Sequence, residues 1–303
     1  MIELTNLQQH LQTFNPDVDL RFYEPLSSHT SFRIGGRAEV MAFPKNIDEL
    51  RKLLITSAIL DCKPVILGAG TNVLAPDEGI PGLVICLKDS FDGLKILDNN
   101  RICCMAGVTM TRAAVFAANH SLTGLEFAHG IPGTVGGGVY MNAGAYGGEI
   151  SQICESVQVM DWQGNVRTLD KNALDFSYRH SILTESNDII LSAVFCLQPG
   201  NSTDIRNRMK DLMARRAASQ PLDMPSAGSA FKRPEGYYAA ALIEQAGLKG
   251  LRVGNAEVSR KHAGFIVNCG GASANDVKTL IQKVIEQIYT NSGVTLEPEI
   301  RVW

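Results

Sequence analysis

This 303-residue chain contains no long run of apolar residues and no long run of basic residues. No apolar stretch approaches the roughly 18 residues that a membrane-spanning helix needs. The opening MIELTNLQQHLQTF lacks the basic start and apolar core of a signal peptide. There is no basic tract, and the formal net charge is -3, with 28 Lys+Arg against 31 Asp+Glu. We therefore expect a cytoplasmic protein with no membrane, nucleic-acid or obligatory protein partner.

Motifs for metals, disulfides and hydrolytic nucleophiles are also missing. The seven cysteines form no C-x-x-C pair and lie mostly in apolar runs such as LVICL and AVFCL, which predicts reduced thiols in the core. No His, Cys and acidic residues have the spacing of metal ligands, so we expect no metal. Because G-x-S-x-G is absent, a hydrolase would have no nucleophile elbow.

The remaining composition is that of a globular protein of two or three compact units, with 45% hydrophobic and 19% charged residues. The apolar periodicity and capping residues predict helices at 46–60, 109–120, 203–218, 237–246 and 273–291. They predict strands at 33–43, 64–67, 82–87, 101–106, 156–162, 165–169, 188–197, 265–268 and 294–302.

Glycine is concentrated in one segment, 130–148, with the sequence GIPGTVGGGVYMNAGAYGG. Because fixing glycine costs backbone entropy, so many in one place indicate a main chain that turns sharply or lies against a flat ligand. The alternative, a glycine-rich surface loop, would usually be more polar than this. The segment carries no charge, so a phosphate bound here would be held by backbone N–H groups.

A second short glycine motif, GAGTN, follows a predicted strand. Gly68 and Gly70 have the spacing that opens a dinucleotide fingerprint, but Val73 occupies the third glycine position, and the prolines and glycines beyond it prevent a helix. Two interpretations stay open. One is a plain turn, and the other is a loop whose N–H groups, with Thr71 and Asn72, cradle a pyrophosphate.

Three polar clusters could carry chemistry, at 178–181 (YRHS), 228–234 (GSAFKRP) and 297–301 (EPEIR). Each has a structural interpretation when taken alone. Arg179 could be a salt-bridge partner, Ser229 a turn or helix cap, and Glu299 a surface charge on a strand.

Taken in order, seven blocks of this chain resemble the bacterial UDP-N-acetylenolpyruvoylglucosamine reductase family, flavoenzymes that make UDP-N-acetylmuramate for peptidoglycan. The blocks are HTSFRIGG, GAGTNVL, GIPGTVGGGVYMNAGAYG, YRHS, GSAFKRP, KHAGFIVN and EPEIR. The resemblance implies an α+β protein that combines a two-lobe FAD-binding fold of the vanillyl-alcohol-oxidase/PCMH type with a C-terminal α+β substrate-binding domain. It implies lobe 1 at 1–67 with 294–303, lobe 2 at 68–200, and the substrate-binding domain at 201–293.

The resemblance also implies a reaction with non-covalent FAD and with NADPH as hydride donor. The hydride passes from NADPH to FAD and then to C3 of the enolpyruvyl group of the UDP-sugar substrate. Ser229 matches the family's proton donor to C2, and Arg179 and Glu299 match the groups at the substrate carboxylate. Glu297, two residues earlier on the same expected strand face, is the reserve for Glu299.

Binding residues are carried over in the same way. The cofactor-binding residues implied are Arg33, Gly35, Gly68, Ala69, Gly70, Thr71, Asn72, Gly130, Ile131, Pro132, Gly133, Thr134, Gly136, Gly137, Ala143 and Gly144. The substrate-binding residues implied are Tyr178, Lys232, Arg233 and Tyr237. His262 is either a substrate contact or a capped surface histidine, with the second interpretation preferred.

Two departures from the family pattern stand out. Arg179 and Ser229 are 50 residues apart, which resembles the shorter subclass that lacks an inserted tyrosine-bearing loop over the substrate. Gly264 stands where the family more often has Asn. Two rival hypotheses also stay open: an oxidase with FAD attached to His29 or His129, and a non-catalytic sugar-nucleotide sensor.

Overall fold

The computed structural model describes residues 5–303, and this part of the chain divides into two compact units. Unit 1 comprises residues 5–23, 39–69 and 81–214, and unit 2 comprises residues 24–38, 70–80 and 215–303. Unit 1 combines most of the residues assigned above to the two FAD-binding lobes, and residues 294–303 fall in unit 2. The three-part division with the bounds given above stays a prediction.

Helices and strands alternate along residues 5–303 without a repeating order. The helices are α1 (Asn6–Phe14), α2 (Ile47–Ile59), α3 (Met110–Asn119), α4 (Val135–Tyr140), α5 (Ile150–Ile153), α6 (Ser202–Ser219), α7 (Ala239–Gln245) and α8 (Ala274–Ser292). The strands are β1 (Asp19–Pro25), β2 (Arg37–Phe43), β3 (Val65–Leu67), β4 (Val73–Leu74), β5 (Ile80–Cys86), β6 (Leu94–Leu97), β7 (Arg101–Met105), β8 (Leu122–Thr123), β9 (Gly144–Ala145), β10 (Gly148–Glu149), β11 (Cys154–Met160), β12 (Val166–Asp170), β13 (Ile189–Cys196), β14 (Gln198–Pro199), β15 (Ser226–Ser229), β16 (Arg252–Val253), β17 (Ala256–Val258), β18 (Phe265–Asn268) and β19 (Arg301–Val302).

Unit 1 is built on two sheets. The first has the strand order β1-β2-β5-β3, with β3 parallel to β5. The second has the order β12-β11-β13-β7-β6 and is antiparallel throughout. Helix α2 starts at Asn46, whose side chain accepts from the N–H of Glu49, and it buries Leu50, Leu53 and Leu54 at helical spacing in the core of this unit.

Unit 2 is built on the antiparallel sheet β15-β18-β17-β16 with α8 packed against it. A capping box of Ser273 and Asp276 starts α8, and Gly293, at φ +69°, ends it. Asp77 adds a further anchor, because its carboxylate accepts from the N–H groups of Ala274 and Asn275 at 2.7 and 3.1 Å. The side chains that face the core of this unit from α8 are Val277, Leu280, Ile281, Val284 and Ile288.

The predicted helices are confirmed to within about two residues at each end, but two strand predictions were too long. The strand expected from residue 33 begins only at Arg37, because Arg33 and Gly35 have φ values of +54° and +127°. The strand expected at 294–302 is reduced to Arg301–Val302, which pairs in parallel with β4. Helix α4, inside the glycine-rich segment, was not predicted.

None of the helices within residues 5–303 is both long and apolar enough to span a lipid bilayer.

Candidate active site

The glycine-rich segment of unit 1 contains the short helix α4, capped by Thr134. The Thr134 hydroxyl accepts from the N–H of Gly137 at 3.3 Å. The N–H groups of Val135 and Gly136 donate to the carbonyls of Val108 and Ala106 at 2.7 and 2.9 Å. The N–H groups of residues 135–137 are therefore already used within the protein, so the start of α4 does not offer them to a phosphate.

Several glycines of this segment are required by packing within unit 1. A Cβ on Gly136 would lie 3.0 Å from the Cβ of Ala106, and one on Gly138 would lie 2.8 Å from the sulfur of Met110. A Cβ on Gly144 would lie 2.7 Å from the Gly148 carbonyl oxygen. Gly137 differs, since it is exposed and its Cβ would meet nothing closer than 3.6 Å. Its face of α4 is therefore open to a flat ligand.

The first part of the segment, 130–134, is a loop tied to the rest of unit 1. Gly130 is half-buried, Pro132 is exposed, and Ile131 packs against the core and donates its N–H to Ala128. Gly133 has φ +139°, and its carbonyl accepts from the N–H of Met110 at 3.0 Å. Further along the segment, Ala143 is also held on both sides, by bonds to Gly138 and Ile150.

The GAGTN motif is a loop without a helix, as predicted. Gly68 packs against Thr134, because a Cβ on Gly68 would lie 2.6 Å from the Thr134 hydroxyl oxygen. The chain passes from unit 1 to unit 2 between Ala69, which is half-buried, and Gly70. Gly70 has φ +61°, and a Cβ there would lie 2.1 Å from the His29 carbonyl oxygen. Only glycine fits this position without rearrangement.

Asn72 connects the same loop with the Glu299 segment inside unit 2. Its Nδ2 donates to the Glu299 carbonyl oxygen at 3.1 Å, and its own carbonyl accepts from the N–H of Arg301 at 2.9 Å. The neighbouring Thr71 is half-buried. One amide donor of Asn72 is thus directed at the Glu299 backbone, a contact that the sequence did not predict.

Ser229 and Glu299 are brought together in unit 2. The N–H of Glu299 donates to the carbonyl of Ala230, the residue after Ser229, at 2.8 Å, and the N–H of Lys232 donates to Glu297 at 2.8 Å. Ser229 is exposed at the end of β15, and no partner for its hydroxyl is found among residues 5–303. The Glu297 carboxylate is exposed and forms an ion pair with Lys232, whereas Glu299 is half-buried.

Within unit 2, Ser31 connects the GAGTN loop with β15. Its N–H donates to the Gly70 carbonyl at 3.0 Å, and its hydroxyl donates to the Ser226 carbonyl at 2.6 Å. Nearby in sequence, Arg33 is exposed in a left-handed conformation, and Gly35 packs against Ala75. Sequence reasoning missed Ser31, although the serine stands inside the HTSFRIGG block.

Arg179 lies in unit 1, at the corner of a tight turn from Ser177 to His180. The backbones of Ser177 and His180 exchange hydrogen bonds of 3.1 and 3.2 Å, and Arg179 has φ +56°. A positive φ at the second central residue is typical of a type II turn, where glycine is preferred, so an arginine there is strained. The Arg179 guanidinium donates to the Gly144 carbonyl at 3.1 Å and lies 5.0 Å from the ring centre of Tyr178.

The predicted substrate-binding residues of unit 2 divide into two groups. Lys232 is paired with Glu297, so its charge is balanced within the protein. The Arg233 guanidinium stacks on Tyr238, with 4.0 Å to the ring centre, and both Tyr237 and Tyr238 are exposed. Sequence reasoning chose Tyr237 and missed Tyr238, although the pair YY in the sequence offered both.

Three histidines named above have different surroundings. His29 pairs with Glu24 at 2.8 Å. His129 has its pKa lowered by burial, and its buried Nδ1 finds no partner among residues 5–303. His262 also has its pKa lowered by burial, and its Nδ1 accepts from the N–H of Gly264 at 3.1 Å. His262 is thus half-buried and not a surface residue, and a contact with the substrate stays a prediction.

Comparisons with known proteins relate these segments to one family. A family described as "UDP-N-acetylenolpyruvoylglucosamine reductase, C-terminal domain" matches residues 220–303, and one described as "FAD binding domain" matches residues 38–170. The UDP-N-acetylenolpyruvoylglucosamine reductase of Lactococcus lactis subsp. cremoris (strain MG1363) is 47% identical over 95% of both chains. The chain belongs to the UDP-N-acetylenolpyruvoylglucosamine reductase family. The reductase of Pediococcus pentosaceus is 42% identical over 98% of both chains.

Solved structures agree with membership of the reductase family. The UDP-N-acetylenolpyruvylglucosamine reductase of Thermus caldophilus is 35% identical, with a TM-score of 0.80 over 94% of this chain and 98% of the other. The BBE-like 1 protein of Physcomitrella patens, at 14% identity, gives a TM-score of 0.50 over 97% of this chain and 62% of its own, which is a likeness of fold alone. The predictions of family, of the α+β FAD-binding fold and of an FAD-dependent oxidoreductase are confirmed.

Proposed function

We propose that this chain reduces the enolpyruvyl group of UDP-N-acetylglucosamine enolpyruvate to UDP-N-acetylmuramate, with FAD bound non-covalently and NADPH as hydride donor. The observation that carries the proposal is the backbone bonding in unit 2, in which the loop at Asn72, Glu299 and the end of β15 at Ser229 are fastened to one another. These are the segments that the family resemblance assigns to FAD, to the substrate carboxylate and to the proton donor.

One feature of the glycine-rich segment fits a flat cofactor, and another limits where its diphosphate can bind. The open face at Gly137 has no side chain to keep an aromatic ring away from the backbone. The N–H groups of 135–137 are already bonded, that of Ile131 donates to Ala128, and Pro132 has none, so we infer that a diphosphate takes its backbone donors from other residues of the glycine motifs. The other cofactor-binding residues that the resemblance implies, among them Arg33 and Gly35, are part of the same proposal.

Three side chains of this protein carry the proposed chemistry. When bound, FAD supplies the hydride that reaches C3 of the substrate. The Ser229 hydroxyl then donates a proton to C2, which it can do only where water is excluded and the carbon is strongly basic. Arg179 and Glu299 hold the substrate carboxylate and stabilise the charge that develops next to it. A preorganised group of this kind contributes about 100- to 1,000-fold in rate.

The nucleotide part of the substrate is assigned to the exposed residues of unit 2. The Arg233 guanidinium is held in place by stacking on Tyr238 and is assigned to the diphosphate of the substrate. The exposed ring of Tyr237 is assigned to the uracil base. Lys232 contributes less net charge than the sequence suggests, because Glu297 is its partner. Tyr178 is assigned to the substrate through its position beside Arg179.

A cytoplasmic location is part of the proposal. All seven cysteines are free thiols. Burial raises the pKa of Cys86 to about 11 and that of Cys154 to about 12, so these thiols are protonated and unreactive at neutral pH. Such thiols are compatible with a reducing compartment.

An anaerobic two-step titration tests the proposal. NADPH should bleach the bound flavin, and the enolpyruvyl sugar nucleotide should restore its colour. Ser229→Ala should bleach at a rate within about 3-fold of the starting protein but recolour at least about 100-fold more slowly, because only the second step needs the proton. Ser219→Ala, at an exposed serine of α6, is the matched control and should bleach and recolour at the rates of the starting protein.

Two further observations distinguish the proposed function from the oxidase and sensor hypotheses. Flavin that stays on the denatured chain would favour an oxidase attached through His29 or His129. Failure of the enolpyruvyl sugar nucleotide to recolour the reduced starting protein would favour a sensor and would contradict the proposed function. Full recolouring by Ser229→Ala, Arg179→Ala and Glu299→Ala would contradict the roles assigned to these three side chains.

A further inference from the structure

The buried side chain of Asn142 connects the glycine-rich segment with the turn that carries Arg179. Asn142 is fully buried and follows α4 by two residues. Its Nδ2 donates to the Ser177 carbonyl at 2.9 Å, and its Oδ1 accepts from the N–H of Ser151 at 2.9 Å. Both ends of the amide are satisfied, and reversing the amide would place oxygen against oxygen and N–H against N–H. The side chain therefore has one stable orientation.

Hydrogen bonds connect Asn142 with the turn that carries Arg179, and the Arg179 guanidinium bonds back to the segment that follows Asn142. Ser177 is the first residue of the turn, and Arg179 sits at the left-handed corner of that turn. The Arg179 Nη2 donates to the Gly144 carbonyl at 3.1 Å, only two residues beyond Asn142. A conformation this strained persists only where the surroundings enforce it. The carbonyl contact from Asn142 supplies that enforcement on one side of the turn.

Ser181 holds the other side of the same turn. It is fully buried, and its hydroxyl donates to the carbonyl of Tyr140 at 2.8 Å, at the end of α4. Arg179 therefore lies between two buried hydrogen bonds, one from Asn142 to Ser177 and one from Ser181 to Tyr140, which both connect this part of the chain with the end of α4. Of these two donors, Asn142 contacts the turn itself, whereas Ser181 lies just outside it.

We propose that Asn142 is a positioning residue for the reaction. It holds the Ser177–His180 turn so that the Arg179 guanidinium is aimed at the substrate carboxylate. The inference rests on the proposed function, in which Arg179 binds that carboxylate. Asn142 itself touches neither substrate nor cofactor, and its effect is transmitted through the carbonyl of Ser177.

Two substitutions test this role on the FAD-loaded chain. Asn142→Asp keeps the shape but removes the donor to Ser177, and Asn142→Gly removes the side chain while suiting the φ of +43° at this residue. In both variants, recolouring of the NADPH-reduced flavin by the enolpyruvyl sugar nucleotide should slow about 10- to 100-fold, because a small displacement of a binding group costs that much. Bleaching by NADPH should change less than about 3-fold.

Asn15→Asp is the matched control. Asn15 is also buried, and its Nδ2 donates to the Leu11 carbonyl and to the Thr56 hydroxyl, both at 3.2 Å, which joins α1 to α2. It therefore loses the same kind of buried donor. This variant should be less stable than the starting protein, yet both steps of its titration should proceed at the starting rates.

A double substitution shows whether Asn142 acts through Arg179. In an Arg179→Ala background, Asn142→Asp should add less than about 3-fold to the slowing of the second step, because residues that act as a unit are not additive. On the flavin-free chain, the backbone amides of Ser177 and His180 should exchange hydrogen faster in Asn142→Gly than in Asn15→Asp.

Several results would overturn the positioning role. Equal slowing of both steps, unchanged recolouring in both Asn142 variants, or a full additional loss in the Arg179→Ala background would each do so. Normal recolouring by Arg179→Ala alone would instead remove the proposed function of Arg179, on which the inference depends.

Discussion

The two glycine-containing segments of this chain use glycine for different reasons. In the loop 68–72, Gly70 has a left-handed backbone, and a Cβ would meet the His29 carbonyl at 2.1 Å. In α4, neither Gly136 nor Gly138 has a positive φ, and the glycines are needed because Ala106 and Met110 pack directly against the helix. Backbone conformation requires glycine in the first segment, and close packing requires it in the second.

Gly137 is a glycine of α4 that neither of these two causes explains. Gly137 lies between the two packed glycines of α4, but it is exposed and has no close neighbour. Neither conformation nor protein packing requires glycine there. A flat cofactor against this face would require it, and substitutions can separate the three causes.

The largest effect is expected at the loop. Gly70→Ala should destabilise the protein by about 3 kcal/mol or more, because left-handed strain of about 1 to 2 kcal/mol adds to a clash with immobile backbone. Gly247→Ala is the control, since its φ of +70° is similar and nothing lies within 4 Å of its added Cβ. It should cost only the strain. Chemical denaturation measures both, and equal losses would contradict the clash.

Within α4, Gly136→Ala should cost more than Gly138→Ala. The added Cβ of Gly136 would lie 3.0 and 3.2 Å from the Cβ and backbone oxygen of Ala106, which cannot move alone, whereas the Met110 side chain can rotate away from Gly138. We expect about 2 kcal/mol for the first and about 1 kcal/mol for the second. The reverse order in denaturant midpoints would show that α4, not its neighbours, adjusts.

The smallest effect on stability, of opposite sign, is expected at Gly137. Gly137→Ala should stabilise the flavin-free chain by up to about 1 kcal/mol, since alanine is the better helix former. The same change should weaken FAD binding if the open face receives the cofactor. Thermal unfolding and flavin titration give the two numbers. Unchanged FAD affinity together with higher stability would exclude this face as the cofactor surface.

Local rules explain how much of the fold could be predicted from the sequence. Helices with clear caps, such as those begun by Asn46, Thr109 and Ser273, were predicted within a residue or two because their start signals lie inside the helix and its flanks. Helix α4 was missed because three consecutive glycines have poor helix propensity, and the packing against Ala106 and Met110 that favours it is not visible in the local sequence. That packing joins distant parts of the sequence.

The features of the candidate site also divide into those that the local sequence predicts and those that depend on distant contacts. The order of seven sequence blocks identified the family, the cofactor and the fold, because each block is local. The contacts that hold the site could not be predicted, since they depend on pairs far apart in the chain. Asn72 meets Glu299 across 227 residues, and Ser31 meets Ser226 across 195. Nothing in either local sequence names the partner.

The division of the chain into interleaved segments has a consequence for biosynthesis. All segments of unit 1 have been translated once residue 214 is made, whereas 24–38 and 70–80 belong with 215–303, which are translated after unit 1. Asn72 must therefore remain without its partner Glu299 while most of residues 1–303 are being made. Any function of the loop that needs the Asn72–Glu299 contact therefore waits for the synthesis of residues 215–303.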